Sequence, residues 1–205
     1  MSRIRHHTVR WIAVPVLAAA VVVAAPATSA GAAGAAFPFD WKIDASTHLK
    51  KLNQTVNVPT GRFVGSVDLA TGDLTGHITL PPASTTVNIA GIGLARATFQ
   101  ISEVRPVTGH VDFSTLQATA TSVFDIKVVR ASPALLPFVN LVGNSCQTST
   151  PVTVTMSGAA SLTAPSTFTG TYTIPPLAHC GLATTALNLV VPGPGNTFTA
   201  VATPQ

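Results

Sequence analysis

Apolar and polar residues alternate one by one along most of this chain, and this alternation strongly limits how it can fold. The longest example runs from Leu116 to Val128, where every second residue but one is Leu, Ala, Phe, Ile or Val. A period of two places these side chains on one face of a β-strand, whereas a helix needs a period near 3.6. Shorter alternating segments occur at residues 39–44, 62–69, 74–80, 95–102 and 107–114. The chain is therefore expected to be all-β.

Gly and Pro interrupt the alternating segments about every ten residues, a spacing that is typical of antiparallel barrels and sandwiches. Thr, Val, Phe and Ile fill the segments between them, and these residues suit a half-buried pleated surface. The sequence predicts a single antiparallel barrel or sandwich of about nine to ten strands. The pattern alone does not choose between barrel and sandwich.

Local signals place several turns and loops. Residues 70–73 are predicted to join two strands as a hairpin, because Gly72 suits a left-handed turn position. Residues 131–143 contain two prolines and predict a long loop or a single helical turn. Further strands are predicted at 152–156, 168–174, 187–191 and 198–200, and no segment has a helical period.

A short motif recurs three times. Residues 74–80, 107–113 and 168–174 each place Thr-Gly after an apolar residue and continue with alternating polar and apolar positions. We interpret this repeat as similar strand chemistry under similar constraints, not as gene duplication.

The first thirty residues have the features of a secretory signal peptide. Three arginines and no acidic residue stand in the first ten positions, residues 11–25 are apolar, and small residues follow from Ala27. An apolar run of this length is short of the roughly 20 residues that a membrane span requires. Residues 1–30 are expected to be removed, with cleavage as late as residue 36. Residues 37–205 are then one β domain, secreted or held in the cell envelope.

Charge is scarce in the remainder of the chain. From Gly31 onward, eight Lys and Arg stand against seven Asp and Glu, which gives a net charge of +1 instead of the +4 of the whole sequence. A cluster of basic residues, the usual requirement for binding nucleic acid or anionic lipid, is missing from the sequence. A nucleic-acid partner is therefore not expected.

Two cysteines, Cys146 and Cys180, are both in the predicted domain. An even number of cysteines in an exported chain predicts a structural disulfide. His179 stands beside Cys180, but adjacent residues of a strand point to opposite faces, so it is badly placed to activate the thiol.

Motifs that carry catalysis are missing from the sequence. It contains no Gly-x-Ser-x-Gly, no His-Glu-x-x-His, no phosphate-binding loop and no Cys-x-x-Cys. His77 and His110 occupy matching positions of the repeat and would share a face if their strands were neighbours. Without a third ligand, we interpret them as exposed polar residues. No catalytic residue, cofactor or metal site is predicted, and the protein is expected not to be an enzyme.

Two segments resemble a known family. Trp41-Lys42-Ile43-Asp44 followed by residues 61–67 resembles the opening strands of YceI-like proteins, and residues 150–154 resemble a later strand of that family. This resemblance implies a lipocalin-like barrel with an isoprenoid or other lipid in its lumen. The whole chain also resembles the small secreted, Ala- and Thr-rich β-proteins of high-GC Gram-positive bacteria.

Two functional hypotheses follow. The first is an exported, non-enzymatic β domain that binds a small apolar or lipid ligand inside a barrel, without a membrane span after signal cleavage. The alternative is a structural or adhesive module of the cell envelope with an Ig-like sandwich, which would have two packed sheets and an exposed apolar or Thr-rich patch. The oligomeric state is left open.

Overall fold

The computed structural model describes residues 35–89 and 93–205, so the predicted signal peptide at 1–30 lies outside the described residues. Strands form most of this structure, together with one turn of 3₁₀ helix and one short α-helix. The elements are β1 (Ala36–Leu49), β2 (Gln54–Asp68), β3 (Asp73–Thr79), β4 (Ala83–Ile89), β5 (Gly93–Asp112), β6 (Gln117–Pro133), β7 (Gln147–Thr148), β8 (Val152–Ala159), β9 (Ser166–Ile174), β10 (Leu177–Ala178), the 3₁₀ turn (Gly181–Ala183), α1 (Thr184–Val190) and β11 (Gly193–Pro204).

Eight of the described strands close into an antiparallel barrel, and three lie outside it. The barrel strands follow the order β1, β2, β3, β5, β6, β8, β9, β11, and β11 pairs with β1. The pairing of β5 with β6 closes the ring, from Ala95 opposite Pro133 to Asp112 opposite Gln117. Of the two predicted architectures, the fold is thus the barrel and not the sandwich.

The described residues contain eleven strands, slightly more than the nine to ten predicted. The two predicted strands at 95–102 and 107–114 are a single element, β5, which pairs first with β4 and later with β3. Register shifts between Glu103 and Thr108 bend it between these partners. Pro106 lies within this bend, where its missing N–H removes no ladder hydrogen bond. β4, β7 and β10 were not predicted, because short outer strands lack a long alternating pattern.

The strand predicted at 187–191 is wrong, because residues 184–190 form α1. Short apolar runs do not distinguish a strand from one or two turns of helix, and tertiary contacts decide. Leu187 is 2% exposed and packs into an apolar cluster with Val128 and Leu177. The Asn188 side chain accepts a hydrogen bond from the Leu177 N–H (2.7 Å) and donates to the Leu177 carbonyl (2.9 Å), so it fixes the helix to β10.

The predicted pairing of Cys146 with Cys180 is confirmed. Both cysteines are completely buried in a second apolar cluster, separate from the barrel core, together with Val128 of β6 and Leu187 of α1. The bond therefore connects the loop that follows β6 to the segment that leads into α1. The predicted loop at 131–143 is also present, although β6 continues as far as Pro133 before it begins.

The two ends of the barrel differ in their connections. At one end, here called the open end, three short turns join β2 to β3, β5 to β6 and β8 to β9. At the other, here called the capped end, the longer connections contain β4, β7, β10 and α1. Neither helical element in the described part of the chain has the length and apolarity needed to cross a membrane.

We expect replacement of both cysteines, as Cys146→Ala with Cys180→Ala, to lower the free energy of unfolding by about 2–5 kcal/mol. The bond joins residues 34 positions apart and therefore restricts the unfolded chain. Urea denaturation of the double variant and the parent would measure the difference. Reduction of the parent protein with dithiothreitol serves as the matched control and should give a similar loss. Equal stability of variant and parent would contradict a structural role for the bond.

Candidate ligand-binding site

Glycines on neighbouring strands make room for aromatic rings inside the barrel. Gly65 of β2 lies opposite Gly76 of β3, and both positions share the inward face of their strands. A Cβ at Gly65 would lie 2.8 Å from Cζ of Phe39, and one at Gly76 would lie 2.7 Å from Cε2 of Phe63. The rings of Phe39 and Trp41 stack with their centroids 4.5 Å apart. Larger residues at these glycines would conflict with the backbone of the paired strand and with the aromatic rings.

Small side chains leave a cavity in the half of the barrel nearer the open end. β6 and β11 place Ala118, Ala120, Ala200 and Ala202 along this half of the lumen. Because an alanine side chain ends at Cβ, space remains between these strands and the aromatic rings opposite. The resulting inner cavity has a volume of about 60 Å³. Its walls are almost wholly apolar and are formed by Trp41, Ile43, Phe63, Leu74, Ile78, Val107, Val111, Ala118, Thr119, Ala120, Met156, Ala160, Phe168, Phe198, Ala200 and Ala202.

A second apolar space, the deep cavity, lies toward the capped end and has a volume of about 80 Å³. Leu187 of α1 and the following Val191 contribute to its wall, so the helix helps to close this end. Phe124, Ile126 and Val128 of β6 form another part of the wall. Phe198 lines both the deep cavity and the inner cavity.

Two polar groups of the deep cavity satisfy one another. The Thr47 hydroxyl donates to the Thr197 carbonyl oxygen at 2.9 Å, which uses its only proton. The Tyr172 hydroxyl, 2.6 Å from Thr47 Oγ1, must therefore be the donor of that hydrogen bond. Burial raises the pKa of Tyr172, which keeps the phenol uncharged. The pair thus leaves no charge in the lumen.

A larger apolar recess, here called the mouth recess, opens at the open end and has a volume of about 350 Å³. Four of the residues that line it also line the inner cavity, so the two spaces adjoin: Trp41, Leu74, Val111 and Ala160. The rest of its wall is formed by Phe39, Val67, Leu69, Phe113, Leu116, Ser161 and Leu162. The recess connects the barrel interior with the surface.

Each turn of the open end contributes at least one large apolar side chain to the rim of the mouth recess. Leu69 comes from the β2–β3 turn, Phe113 and Leu116 from the β5–β6 turn, and Leu162 from the β8–β9 turn. These four side chains are exposed by 46–56%. Apolar side chains grouped around an opening are typical of a binding surface, whereas single scattered ones need no explanation.

In each of the three turns, a side chain accepts hydrogen bonds from nearby backbone N–H groups. Asp68 accepts hydrogen bonds from the N–H groups two and three residues later, and Asp112 and the hydroxyl of Ser161 do the same in their own turns. Such side-chain caps replace missing backbone partners and fix the turn conformation. The rim is therefore held in place by its own sequence.

Leu116 has an uncommon backbone conformation, with a φ of 55°. A left-handed conformation costs a non-glycine residue roughly 1–2 kcal/mol. The Leu116 carbonyl accepts a hydrogen bond of 2.8 Å from the Ala160 N–H, which connects the β5–β6 turn to the β8–β9 turn. Strained residues of this kind occur preferentially at ligand-binding positions.

The two histidines of the repeat are not brought together. His77 Nδ1 lies 2.7 Å from Glu103 Oε1, and His110 Nδ1 lies 3.6 Å from an Asp73 carboxylate oxygen. Both imidazoles are exposed, in agreement with the interpretation as surface residues. The other oxygen of Glu103 accepts the Ile78 N–H at 2.6 Å, where β3 no longer pairs with β5. Glu103 therefore bridges a gap in the sheet.

Two carboxylates on the outer face of β1 are held by side chains of β2. Asp40 accepts a hydrogen bond from Nε of Arg62 at 2.7 Å, and this contact lowers the pKa of Asp40. Asp44 accepts the Thr60 hydroxyl at 2.6 Å. Within residues 35–89 and 93–205, no group of three or more His, Cys, Asp or Glu side chains is arranged to hold a metal ion.

Comparison with protein-family models, with curated proteins and with solved structures finds no match to this chain. The barrel geometry and the lining of its cavities are therefore the observations on which a functional proposal rests.

Sequence reasoning indicated an apolar interior but not the position of its opening. Phenylalanines of the alternating segments are part of the cavity walls: Phe63, Phe124 and Phe198. The rim residues fall in turns, where the alternation stops and where an isolated Leu or Phe carries no signal. Asp or Ser followed directly by a large apolar residue was the available signal, at Asp68-Leu69, Asp112-Phe113 and Ser161-Leu162.

Acid should loosen the β5–β6 turn. The Ser114 hydroxyl, with the N–H groups of Ser114 and Thr115, holds the pKa of Asp112 at about 2. Because the folded pKa lies below the unfolded value near 3.9, the stabilisation is complete above that value and disappears as the pH falls through about 2. We expect Asp112→Ala to be less stable than the parent at pH 5–7, with the difference shrinking between pH 4 and 2. Urea unfolding across this range would test it, and a constant difference down to pH 2 would contradict it.

Proposed function

We propose that this protein is an exported binding protein that takes a small apolar or lipid molecule through the open end of its barrel. The observation that carries the proposal is the mouth recess of about 350 Å³, apolar on nearly all sides and adjoining the inner cavity. Ligand sites typically have volumes of about 300–1,000 Å³ and mostly apolar walls with a few polar groups. The recess lies at the lower end of this range and adjoins the inner cavity, which supports an elongated ligand that enters from outside.

The lining favours an apolar ligand over water. Among the described residues, no buried side-chain nitrogen or oxygen lacks a hydrogen-bond partner. Water in such a cavity would make few hydrogen bonds, and dry apolar cavities accept apolar molecules instead. Transfer of a methylene group from water into this environment contributes about 0.8 kcal/mol.

The proposal is binding without catalysis. Of the described residues that line the deep cavity, Thr47 and Tyr172 are hydrogen-bonded to each other. At the recess, the Ser161 hydroxyl is engaged by the N–H groups of its own turn. Neither arrangement supplies a nucleophile with an adjacent base. The protein would hold and release its ligand unchanged.

A structural or adhesive role in the cell envelope is the second candidate, now on a barrel instead of a sandwich. It is favoured by Leu135, Phe138 and Leu182, which are 92%, 78% and 100% exposed and do not line the cavities described above. Exposed apolar residues of this size are typical of contact surfaces. This candidate predicts a protein that stays with the cell envelope and carries no small molecule.

Native mass spectrometry of the protein recovered from its own culture medium separates the two candidates. We expect a co-purified apolar or lipid molecule that is released by organic solvent. A ligand-free protein that also fails to bind a neutral fluorescent probe such as N-phenyl-1-naphthylamine would overturn the binding proposal.

We expect Leu116→Gly to weaken probe binding at least tenfold without lowering stability. The substitution removes a rim side chain that would bury apolar area against the ligand, a contribution of about 1.5–3 kcal/mol. It also relieves the left-handed backbone at φ 55°, which offsets the greater freedom of glycine in the unfolded chain. Fluorescence titration and urea unfolding of the same sample would measure both quantities.

Asn53→Gly is the matched control for this substitution. Asn53 also has a left-handed backbone, with a φ of 47°, but it lies in the β1–β2 turn at the capped end. The Asn53→Gly substitution should leave the affinity for the probe unchanged. Equal affinities of Leu116→Gly and the parent would show that the rim does not contact the ligand.

A further inference from the structure

One aromatic side chain contributes to the walls of both the inner cavity and the deep cavity. Phe198 is 6% exposed and contributes to the walls of both spaces. The next two inward positions of β11, toward the open end, are Ala200 and Ala202. The inward side chains of this strand are therefore small near the mouth, and a full aromatic ring follows near the middle of the lumen. A chain that enters from the mouth meets Phe198 before it can reach the deep cavity.

The charges around the mouth limit the end group of such a chain. The turns of the open end are flanked by Asp68, Asp73 and Asp112 at the ends of their strands, and the three turn sequences contain no Lys or Arg. Arg62 on the neighbouring outer face is already paired with Asp40. His110 Nδ1 lies 3.6 Å from a carboxylate oxygen of Asp73. A carboxylate on the ligand would meet groups of the same charge, which is unfavourable. An uncharged alcohol or ester group would not be repelled by these carboxylates.

We propose that the ligand is an uncharged amphiphile with a single long apolar chain, and that Phe198 sets the chain length that the barrel accepts. This inference rests on the proposed binding function and specifies its ligand class. The apolar chain occupies the mouth recess and the inner cavity, and its polar end stays at the rim. Phe198 stops the apolar chain at the inner end of the inner cavity and keeps the deep cavity separate.

A series of straight-chain primary alcohols, from eight to eighteen carbons, tests this inference by displacement of N-phenyl-1-naphthylamine. Each methylene that enters the cavity should tighten binding about fourfold, the equivalent of about 0.8 kcal/mol. The gain should stop at the length that reaches Phe198, which gives a plateau in affinity against chain length. The full chain is produced in an exporting bacterial host and used as recovered.

Phe198→Ala should move the plateau to longer alcohols, because the inner and deep cavities then join. Phe198→Leu is a milder change that should move it in the same direction, and it keeps the test possible if the alanine variant does not fold. Phe124→Leu is the matched control, because Phe124 lines the deep cavity but not the inner one. It should leave the plateau where it is. Ala200→Val, which fills part of the inner cavity, should move it to shorter chains.

The outcomes separate this inference from the proposed function. If the parent protein binds neither the probe nor any alcohol, the proposed function itself fails. If it binds alcohols with a plateau that Phe198→Ala and Phe198→Leu leave unchanged, the assignment of Phe198 is wrong. Decanol should bind at least tenfold more tightly than decanoate at pH 7, and equal affinities would overturn the uncharged end group.

Discussion

The backbone hydrogen bonds between β5 and β6 close the sheet, and the lumen exists only because of that closure. An open sheet of eight strands would expose two edges and would not separate an interior from solvent. Closure needs β5 to bend, and the register shifts between Glu103 and Thr108 supply the bend. Where the pairing of β3 with β5 has ended, Glu103 of β5 accepts the Ile78 N–H, while β3 stays paired with β2 on its other side. The functional interpretation therefore depends on one irregular strand pair.

The two ends of the barrel are built by different means. At the capped end, long connections carry α1 and the outer strands, and the Cys146–Cys180 bond holds them in a second apolar cluster. At the open end, short turns are fixed by the side chains of Asp68, Asp112 and Ser161. The disulfide and the second apolar cluster thus lie at one end, and the apolar opening lies at the other. The proposed binding function would use this division, because the entrance must be accessible while the interior stays dry.

Several parts of the fold could be predicted because their causes are local. Gly72 adopts a φ of 82°, as the β2–β3 turn prediction requires, and the two cysteines form the expected bond. The helix at 184–190 could not be predicted, because the burial of Leu187 depends on strands distant in sequence. The opening was missed for a related reason. Leu69, Phe113 and Leu162 are far apart along the chain, and only the closed barrel brings their turns to one recess.

The sequence by itself determined the strands of the barrel but not the three short outer strands, since the alternation of side chains across a long strand is a property of neighbouring residues. It also determined the disulfide, because the chain contains a single pair of cysteines. Tertiary structure decided that the sheet closes instead of splitting into two layers, that α1 covers one end, and that Phe198 lines both the inner and the deep cavity. These features depend on register and on side chains that meet from distant strands. Periodicity fixes which face of a strand is apolar, but it does not fix which strands that face will meet.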